Sequence, residues 1–278
     1  MNNGRAGGRE RTVKHLISAA AGVNVGKHRA NNEDNLYFNG VYLTEQAREQ
    51  PASFEAECAD VRQIYAVCDG MGGEQYGELA SLLTVETVRR YADIVRGDTK
   101  KSLDEKIREC IISANDLVCR AQKDNGAKRI GTTFALLAVD GRTAGIYNMG
   151  DSRVYLLRDG AIAQLSEDHT YVASISKLLG LTPEQEKSHP MRNRLTRYIG
   201  IDSSEVPIDA YSSTLKMKKK DIFLLCSDGL SDAVDDDEMR RILTEAGNPA
   251  EAVSQLMDAA LVEGKDNITV IVVAYNME

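Results

Sequence analysis

Residues 64–73, IYAVCDGMGG, place an acidic turn directly after an apolar run. The first five residues of this stretch favour a buried β-strand, which would end at Asp69. A carboxylate at the end of a buried strand is costly unless a positive group neutralises it. The stretch therefore indicates either an ordinary Asp-Gly turn or one ligand of a metal site.

Further acidic motifs border other strand-like runs. They are Asn32-Glu33-Asp34-Asn35, Gly150-Asp151-Ser152-Arg153, Ser227-Asp228-Gly229 and Asp266-Asn267. A single Asp-Gly pair is usually only a turn, and this is the interpretation of Asp140-Gly141 and Asp159-Gly160. If the remaining motifs converge, their carboxylates suit Mg²⁺ or Mn²⁺, which prefer oxygen ligands in octahedral geometry.

The composition excludes several classes of protein. The chain has 278 residues, of which 42% are hydrophobic and 27% charged, and its formal net charge is −8. A globular protein with a sizeable core is expected, and the negative balance argues against a nucleic-acid surface. No apolar run approaches the ~18 residues of a membrane-spanning helix, so no membrane partner is expected. We expect a monomer, and a disordered leader over residues 1–12.

The cysteines indicate a reducing compartment. Their number is odd and no Cys-x-x-Cys pair occurs among Cys58, Cys68, Cys110, Cys119 and Cys226. Free thiols in a cytoplasmic protein fit this pattern best. A catalytic cysteine is disfavoured, because no Cys-x5-Arg phosphate loop follows Cys226.

The order of elements predicts an α+β fold. Strands are predicted at residues 64–68, 132–139, 143–149, 154–157, 161–165, 222–226 and 268–275. Helices are predicted at residues 78–95, from the 102–105 capping box to about 123, at 249–263, and briefly after residue 182. Hairpin signals outnumber strand–helix–strand signals, which favours antiparallel sheets with helices outside them. Residues 44–62 are predicted to form an elongated hairpin loop with a helical turn, and the lysine run at 216–220 either a solvated turn or a partner contact.

In their order along the chain, the motifs resemble the metal-dependent serine/threonine phosphatases of the type 2C (PPM) family. The resemblance spans about residues 20–275 and rests on Arg29-x-x-Asn32-Glu33-Asp34-Asn35, Asp69-Gly70-Met71-Gly72-Gly73, Gly131-Thr132-Thr133, Gly150-Asp151-Ser152-Arg153, Ser227-Asp228-Gly229-Leu230-Ser231-Asp232 and Asp266-Asn267. Asp168-His169-Thr170 and residues 189–197 are similar to the bacterial branch. The resemblance implies one catalytic domain over 13–278, an α-β-β-α sandwich of two antiparallel sheets flanked by helices. It also implies a flap subdomain at 166–200.

The resemblance further implies a core site for two Mn²⁺ or Mg²⁺ ions. Asp69 would bridge them and the carbonyl of Gly70 would ligate one of them. Asp228 and Asp266 would bind the other ion. These ions would activate a water for direct attack on phosphoserine or phosphothreonine, without a covalent phosphoenzyme.

Outer roles follow from the same resemblance. Glu33 and Asp34 would act mostly through metal-bound waters, and Asp151 with Asp228 or Asp232 would form a third, weaker metal site. Arg29 would clamp the substrate phosphate, which suits its bidentate fork. The implied catalytic residues are Arg29, Asp34 and Asp69.

Three questions stay open at this point. Met71 occupies the position where animal members carry a histidine proposed as the general acid, so the proton donor is unassigned, with His28 as one candidate. A catalytically silent relative that binds phosphoproteins is the alternative function, and a hydrolase of small phosphoesters is a third. The expected partners are phosphorylated proteins and a serine/threonine kinase that shares those targets.

Overall fold

Two antiparallel six-stranded sheets form the centre of the structure, a computed structural model that describes residues 15–58, 62–71, 76–97, 102–127, 129–204 and 206–277. The first sheet contains β1 (His15–Asn24), β4 (Ala52–Cys58), β10 (Arg153–Arg158), β11 (Ala161–Gln164), β13 (Ile222–Cys226) and β14 (Ile268–Met277). Its strand order is β11-β10-β13-β14-β1-β4. The predicted leader, residues 1–12, lies outside the described residues.

The second sheet has the order β12-β9-β8-β5-β2-β3. It contains β2 (Asn35–Phe38), β3 (Val41–Tyr42), β5 (Arg62–Cys68), β8 (Phe134–Asp140), β9 (Thr143–Met149) and β12 (Tyr211–Lys216). A small separate pair, β6 (Gly70–Met71) and β7 (Gly131–Thr132), continues from the ends of the inner strands β5 and β8, beside the acidic motif at Asp69.

Alternate side chains of each inner strand point to different layers. On β13, Leu225 belongs to the apolar cluster between the two sheets, whereas the adjacent Leu224 packs with the helices outside. This alternation follows from the two-residue period of a strand, and it requires both faces of the strand to be covered. The core is therefore divided into one inter-sheet layer and two outer layers.

Helices cover the outer faces of both sheets. The structure has α1 (Gly77–Gly97) and α2 (Leu103–Asp124) on the second sheet, α6 (Asp236–Glu245) and α7 (Pro249–Ala260) on the first, and the shorter α3 (Tyr171–Leu179), α4 (Pro183–Ser188) and α5 (Asp228–Ser231). The capping box predicted at the start of α2 is present, with Ser102 and Glu105 exchanging hydrogen bonds. No helix among the described residues is both long and apolar enough to cross a membrane. The predicted α+β sandwich is confirmed.

The prediction for residues 44–62 is wrong in part. A single helical turn is present, since the amides of Ala47 and Arg48 donate to the carbonyl of Thr44. The following residues are not a loop, because β4 pairs with β1 from Ala52 to Cys58 and forms the edge of the first sheet. Phe54 and Ala56 face the inter-sheet core, and the intervening glutamates hide this alternation in the composition.

The sequence analysis also missed α6. Its apolar residues Met239, Ile242 and Leu243 follow helical spacing and are buried, but charged residues surround them. Asp235 caps the helix by accepting a hydrogen bond from the amide of Glu238.

Replacing Leu225 by alanine should test the inter-sheet core. The side chain is fully buried, so truncation should lower the free energy of unfolding by about 2–5 kcal/mol through lost burial and a cavity. Leu178→Ala is the matched control, because that leucine is 84% exposed. Urea denaturation monitored by circular dichroism would give both values, and equal values for the two variants would contradict the assigned core.

Candidate active site

A cleft of about 380 Å³ opens where strand ends of the two sheets meet. Asp69 follows β5, Asp228 follows β13, and Asp266 precedes β14. The cleft is lined by Arg29, Asn31, Glu33, Asp69, Gly70, Met71, Thr133, Asp151, Asn193, Leu195, Asp228, Asp266 and Asn267. The structure thus brings together most of the residues predicted from separate motifs.

The backbone of Asp69 is fixed by two threonines of the Gly131-Thr132-Thr133 motif. Its carbonyl accepts hydrogen bonds from the amide of Thr133 and the hydroxyl of Thr132, both at 2.8 Å. Its amide donates to Oγ1 of Thr133 at 2.8 Å, and that hydroxyl lies 2.6 Å from the hydroxyl of Ser152. Neutral groups therefore hold the main chain while the carboxylate stays in the cleft.

Gly70 sits where three chain segments converge. A Cβ atom at this position would lie 2.2 Å from the carbonyl oxygen of Gly77 and 2.6 Å from that of Glu33. Such distances are far inside van der Waals contact, so only glycine fits here. The amide of Gly70 donates to the carbonyl of Glu33 at 3.2 Å, which joins the second motif to the first.

Asp34 lies beneath the cleft rather than on its wall. Its Oδ2 accepts hydrogen bonds from the hydroxyls of Ser227 and Thr269, both at 2.7 Å. Burial raises the pKa of Asp34 to about 7, although these two hydrogen bonds favour the charged form. The predicted catalytic role of Asp34 stays a prediction, and its position suits indirect action through Asp228.

The buried carboxylates around the cleft oppose one another. Burial, followed by the nearby charge of Asp266, raises the pKa of Asp228 to about 6. Burial first and neighbouring carboxylates second also hold the pKa values of Asp69 and Asp151 well above the ordinary range. Negative charge of this density is stable at neutral pH only with protons or a cation.

The residues present fit hard divalent cations with an open coordination sphere. The buried Oδ1 atoms of Asp34 and Asp228 have no hydrogen-bond partner within the described part of the chain. Across those same residues, no three His, Cys, Asp or Glu side chains are arranged to hold one ion by themselves. Mg²⁺ retains several waters and needs few carboxylates. This donor set therefore suits a partly hydrated ion better than an ion that is enclosed entirely by protein ligands.

Arg29 reaches the mouth of the cleft from the loop after β1. Its Nη2 lies 2.6 Å from Oδ2 of Asp266, and the two side chains are 50% and 32% exposed. Partly exposed ion pairs contribute little stability because water screens them. The guanidinium can therefore exchange this partner for an incoming anionic group.

Asn267 connects the last strand to the first motif, a role that the sequence analysis did not assign. Its Oδ1 accepts from the amide of Glu33 at 2.8 Å, while its Nδ2 donates to the carbonyls of Val25 and Asn31 at 2.9 and 3.0 Å. The only sequence signal was its place beside Asp266. The three hydrogen bonds of the Asn267 side chain therefore hold Glu33 against the cleft.

An adjoining cavity of about 370 Å³ contains Asp151, Asp228 and Asp232. Asp232 is partly exposed and pairs with Nη2 of Arg192 at 3.1 Å. The predicted third metal site stays a prediction, although its proposed ligands share this cavity. The predicted flap borders the main cleft through Asn193 and Leu195.

Met71 and two histidines bear on the missing proton donor. Met71 lines the cleft and carries no acidic proton, whereas His28 is exposed and is not among the lining residues. His169 has a structural contact, since its Nδ1 accepts from the amide of Gly150 at 3.2 Å.

The comparisons with known proteins agree with the motifs. The profile of the Protein phosphatase 2C family matches residues 46–264. The chain is 32% identical to the serine/threonine protein phosphatase PstP of Mycobacterium tuberculosis over 94% of this chain, but spans only 45% of that relative. It is 30% identical to the serine/threonine phosphatase stp of Listeria innocua, over 91% of this chain and 93% of the relative.

A solved structure shows the same fold. The catalytic domain of PstP in complex with two manganese ions superposes with a TM-score of 0.76 and 27% identity, over 94% of this chain and 99% of that one. The predicted family is confirmed by these matches. The chain belongs to the protein phosphatase 2C family.

Proposed function

We propose that the chain is a serine/threonine protein phosphatase that hydrolyses phosphoserine and phosphothreonine at a binuclear Mn²⁺ or Mg²⁺ centre. The observation that carries this proposal is the convergence of Asp69, Asp228 and Asp266 with Arg29 in one cleft. The names of the relatives and the two manganese ions of the PstP structure support it. The proposal includes a single domain over 13–278, with the 166–200 flap inside it.

The substrate would be held by charge from two sides. Bound cations would supply a water of lowered pKa and neutralise charge on the phosphoryl oxygens. Arg29 binds the phosphate from the mouth of the cleft after releasing Asp266, and its planar fork fixes the orientation. Such electrostatic stabilisation matters because phosphate monoesters hydrolyse very slowly without a catalyst.

The carboxylates of this chain would have different roles in binding the ions. Asp69, Asp228 and Asp266 would hold the core ions, and Asn267 keeps Glu33 at the edge of the site. No cysteine lines the cleft, so direct attack by water fits the described residues better than a phosphocysteine. The leaving group takes its proton from solvent or the hydrated site, because Met71 cannot donate one.

The proposed partners are phosphorylated proteins and a kinase that acts on the same targets. The adjoining cavity with Asp151, Asp228 and Asp232 is the proposed place of a third ion. A phosphothreonine peptide compared with a sugar phosphate would separate a protein phosphatase from a hydrolase of small phosphoesters. Hydrolysis after full chelation would overturn the metal mechanism.

Asp69→Asn should abolish phosphate release from a phosphothreonine peptide in Mn²⁺. Losing a ligand shared by two ions should reduce kcat by more than about 100-fold. Asp258→Asn, on the exposed face of α7, is the matched control and should retain wild-type turnover. A malachite-green phosphate assay measures both variants, and a fully active Asp69→Asn enzyme would contradict the assignment.

Asp228→Asn should change thermal stability in opposite directions with and without metal. In EDTA the variant should melt about 3 °C or more above the wild type, since one buried charge leaves a mutually repelling cluster. On Mn²⁺ addition the wild type should gain more than the variant, because binding to the folded state is linked to stability. Differential scanning fluorimetry measures all four states; a variant that is less stable in EDTA would refute the repulsion argument.

Asp34→Asn should show how the stability cost of burying this carboxylate depends on pH. The folded-state pKa of Asp34, about 7, lies above its ordinary value, so the folded protein binds this proton more tightly than the unfolded chain. The stability contributed by the protonated form is complete below about pH 4 and is lost as the pH rises to about 7. In EDTA, the stability of the variant relative to wild type should therefore grow across this window by a few kcal/mol and stay constant above it. Urea midpoints at several pH values measure the difference, and a pH-independent difference would disprove the shift.

A further inference from the structure

The loop between β3 and β4 buries one arginine beside the active site. Within residues 44–50 every side chain except that of Arg48 is exposed, and Arg48 is only 2% exposed. Burial lowers the pKa of this guanidinium, since the charged form loses water. A charged side chain that a loop directs into the protein needs a compensating partner there.

The contacts of Arg48 lead to two parts of the cleft. Its carbonyl accepts a hydrogen bond from Nδ2 of Asn32 at 3.1 Å, next to Glu33. Its Nη1 donates to the carbonyl of Glu78 at 2.8 Å, in the first turn of α1. The same turn is joined to the motif by Ser81, whose hydroxyl donates to the carbonyl of Glu33 at 2.7 Å.

Charge compensation also joins Arg48 to the first turn of α1. Glu78 is the strongest charged neighbour of Arg48. Oε2 of Glu78 and the Nε and Nη2 atoms of Arg48 are buried without a hydrogen-bond partner in the described part of the chain. Arg48 is thus a buried cation beside Glu78, and it is joined to the Glu33 segment by the hydrogen bonds of Asn32 and Ser81.

We propose that Arg48 is a positioning residue of the metal centre, which holds Glu33 and the first turn of α1 in place from behind the cleft. The β3–β4 loop then supports the active site and is more than a neutral surface loop. Glu33 lines the cleft and Gly70 packs against its carbonyl, so a shift of this segment would displace one wall of the metal site. This inference rests on the proposed phosphatase function.

Arg48→Met tests the proposal, since it keeps a long stem and removes the charge and donors. Residues that orient metal ligands typically change metal affinity about 10–100-fold, so the Kd for Mn²⁺ should rise about tenfold. Titration calorimetry with MnCl₂ measures this without any turnover. In saturating Mn²⁺, kcat for a phosphothreonine peptide should fall while KM stays within about twofold, because Arg29 still binds the phosphate.

Two further variants separate positioning from general destabilisation. Arg48→Lys keeps the charge but loses the planar fork of donors, so the Kd for Mn²⁺ should rise only about threefold. Arg158→Met breaks an ion pair with the buried Asp221, 2.6 Å apart, where β10 ends and β13 begins, at the opposite end of these strands from Asp228. It should lower the melting temperature and leave the Kd for Mn²⁺ unchanged.

The outcomes distinguish this inference from the function beneath it. If the wild type neither binds Mn²⁺ nor hydrolyses the peptide, the proposed function fails and Arg48 has no site to position. If the wild type does both and Arg48→Met binds Mn²⁺ as tightly as Arg158→Met, the function stands and the positioning role is refuted. If Arg48→Met does not fold, Arg48→Lys decides: a Kd raised about threefold supports positioning, and an unchanged Kd with unchanged kcat overturns it.

Discussion

The mutual repulsion of buried carboxylates is the constraint on which the rest of this structure depends. Asp69, Asp151 and Asp228 all have raised pKa values because burial, and after it the charge of neighbouring carboxylates, penalises ionisation. The repulsion within such a cluster would push the strand ends apart unless contacts with the surrounding chain held them together. Neutral groups supply most of these contacts. The hydroxyls of Ser227 and Thr269, for example, hold Asp34 beneath the carboxylate cluster. The charge is left for ligands to neutralise.

The sandwich is what gathers these groups from distant parts of the chain. Antiparallel neighbours run in opposite directions, so the end of β13 lies beside the start of β14, which brings Asp228 near Asp266. The end of β5 comes from the other sheet and adds Asp69. Asn267 then ties the start of β14 to Glu33 across the seam. The cleft is therefore complete only when the two sheets pack against each other.

The sequence was sufficient for elements with a clear period and for groups with a motif. The strand before Asp69, the helix opened by Ser102 and the clustered acids were predictable because each signal is local. β4 and α6 were not, since glutamates and aspartates interrupt their apolar pattern. The roles of Asn267 and Arg48 were not predictable either. The partners of Asn267 depend on strand register and those of Arg48 on the course of a loop, and a short window of sequence indicates neither.

Arg29 and Arg48 differ in exposure, and their surroundings suit different tasks. Arg29 is half exposed and its pair with Asp266 is screened by water, so a substrate phosphate can replace that partner at small cost. Arg48 is buried, where an exchanged partner would leave an uncompensated charge in low dielectric. A phosphate in the cleft would therefore meet Arg29, which lines it, and not Arg48, which does not. The fixed charge of Arg48 cannot bind substrate, but it can keep the wall of the cleft from yielding when the metal ions and the phosphate arrive.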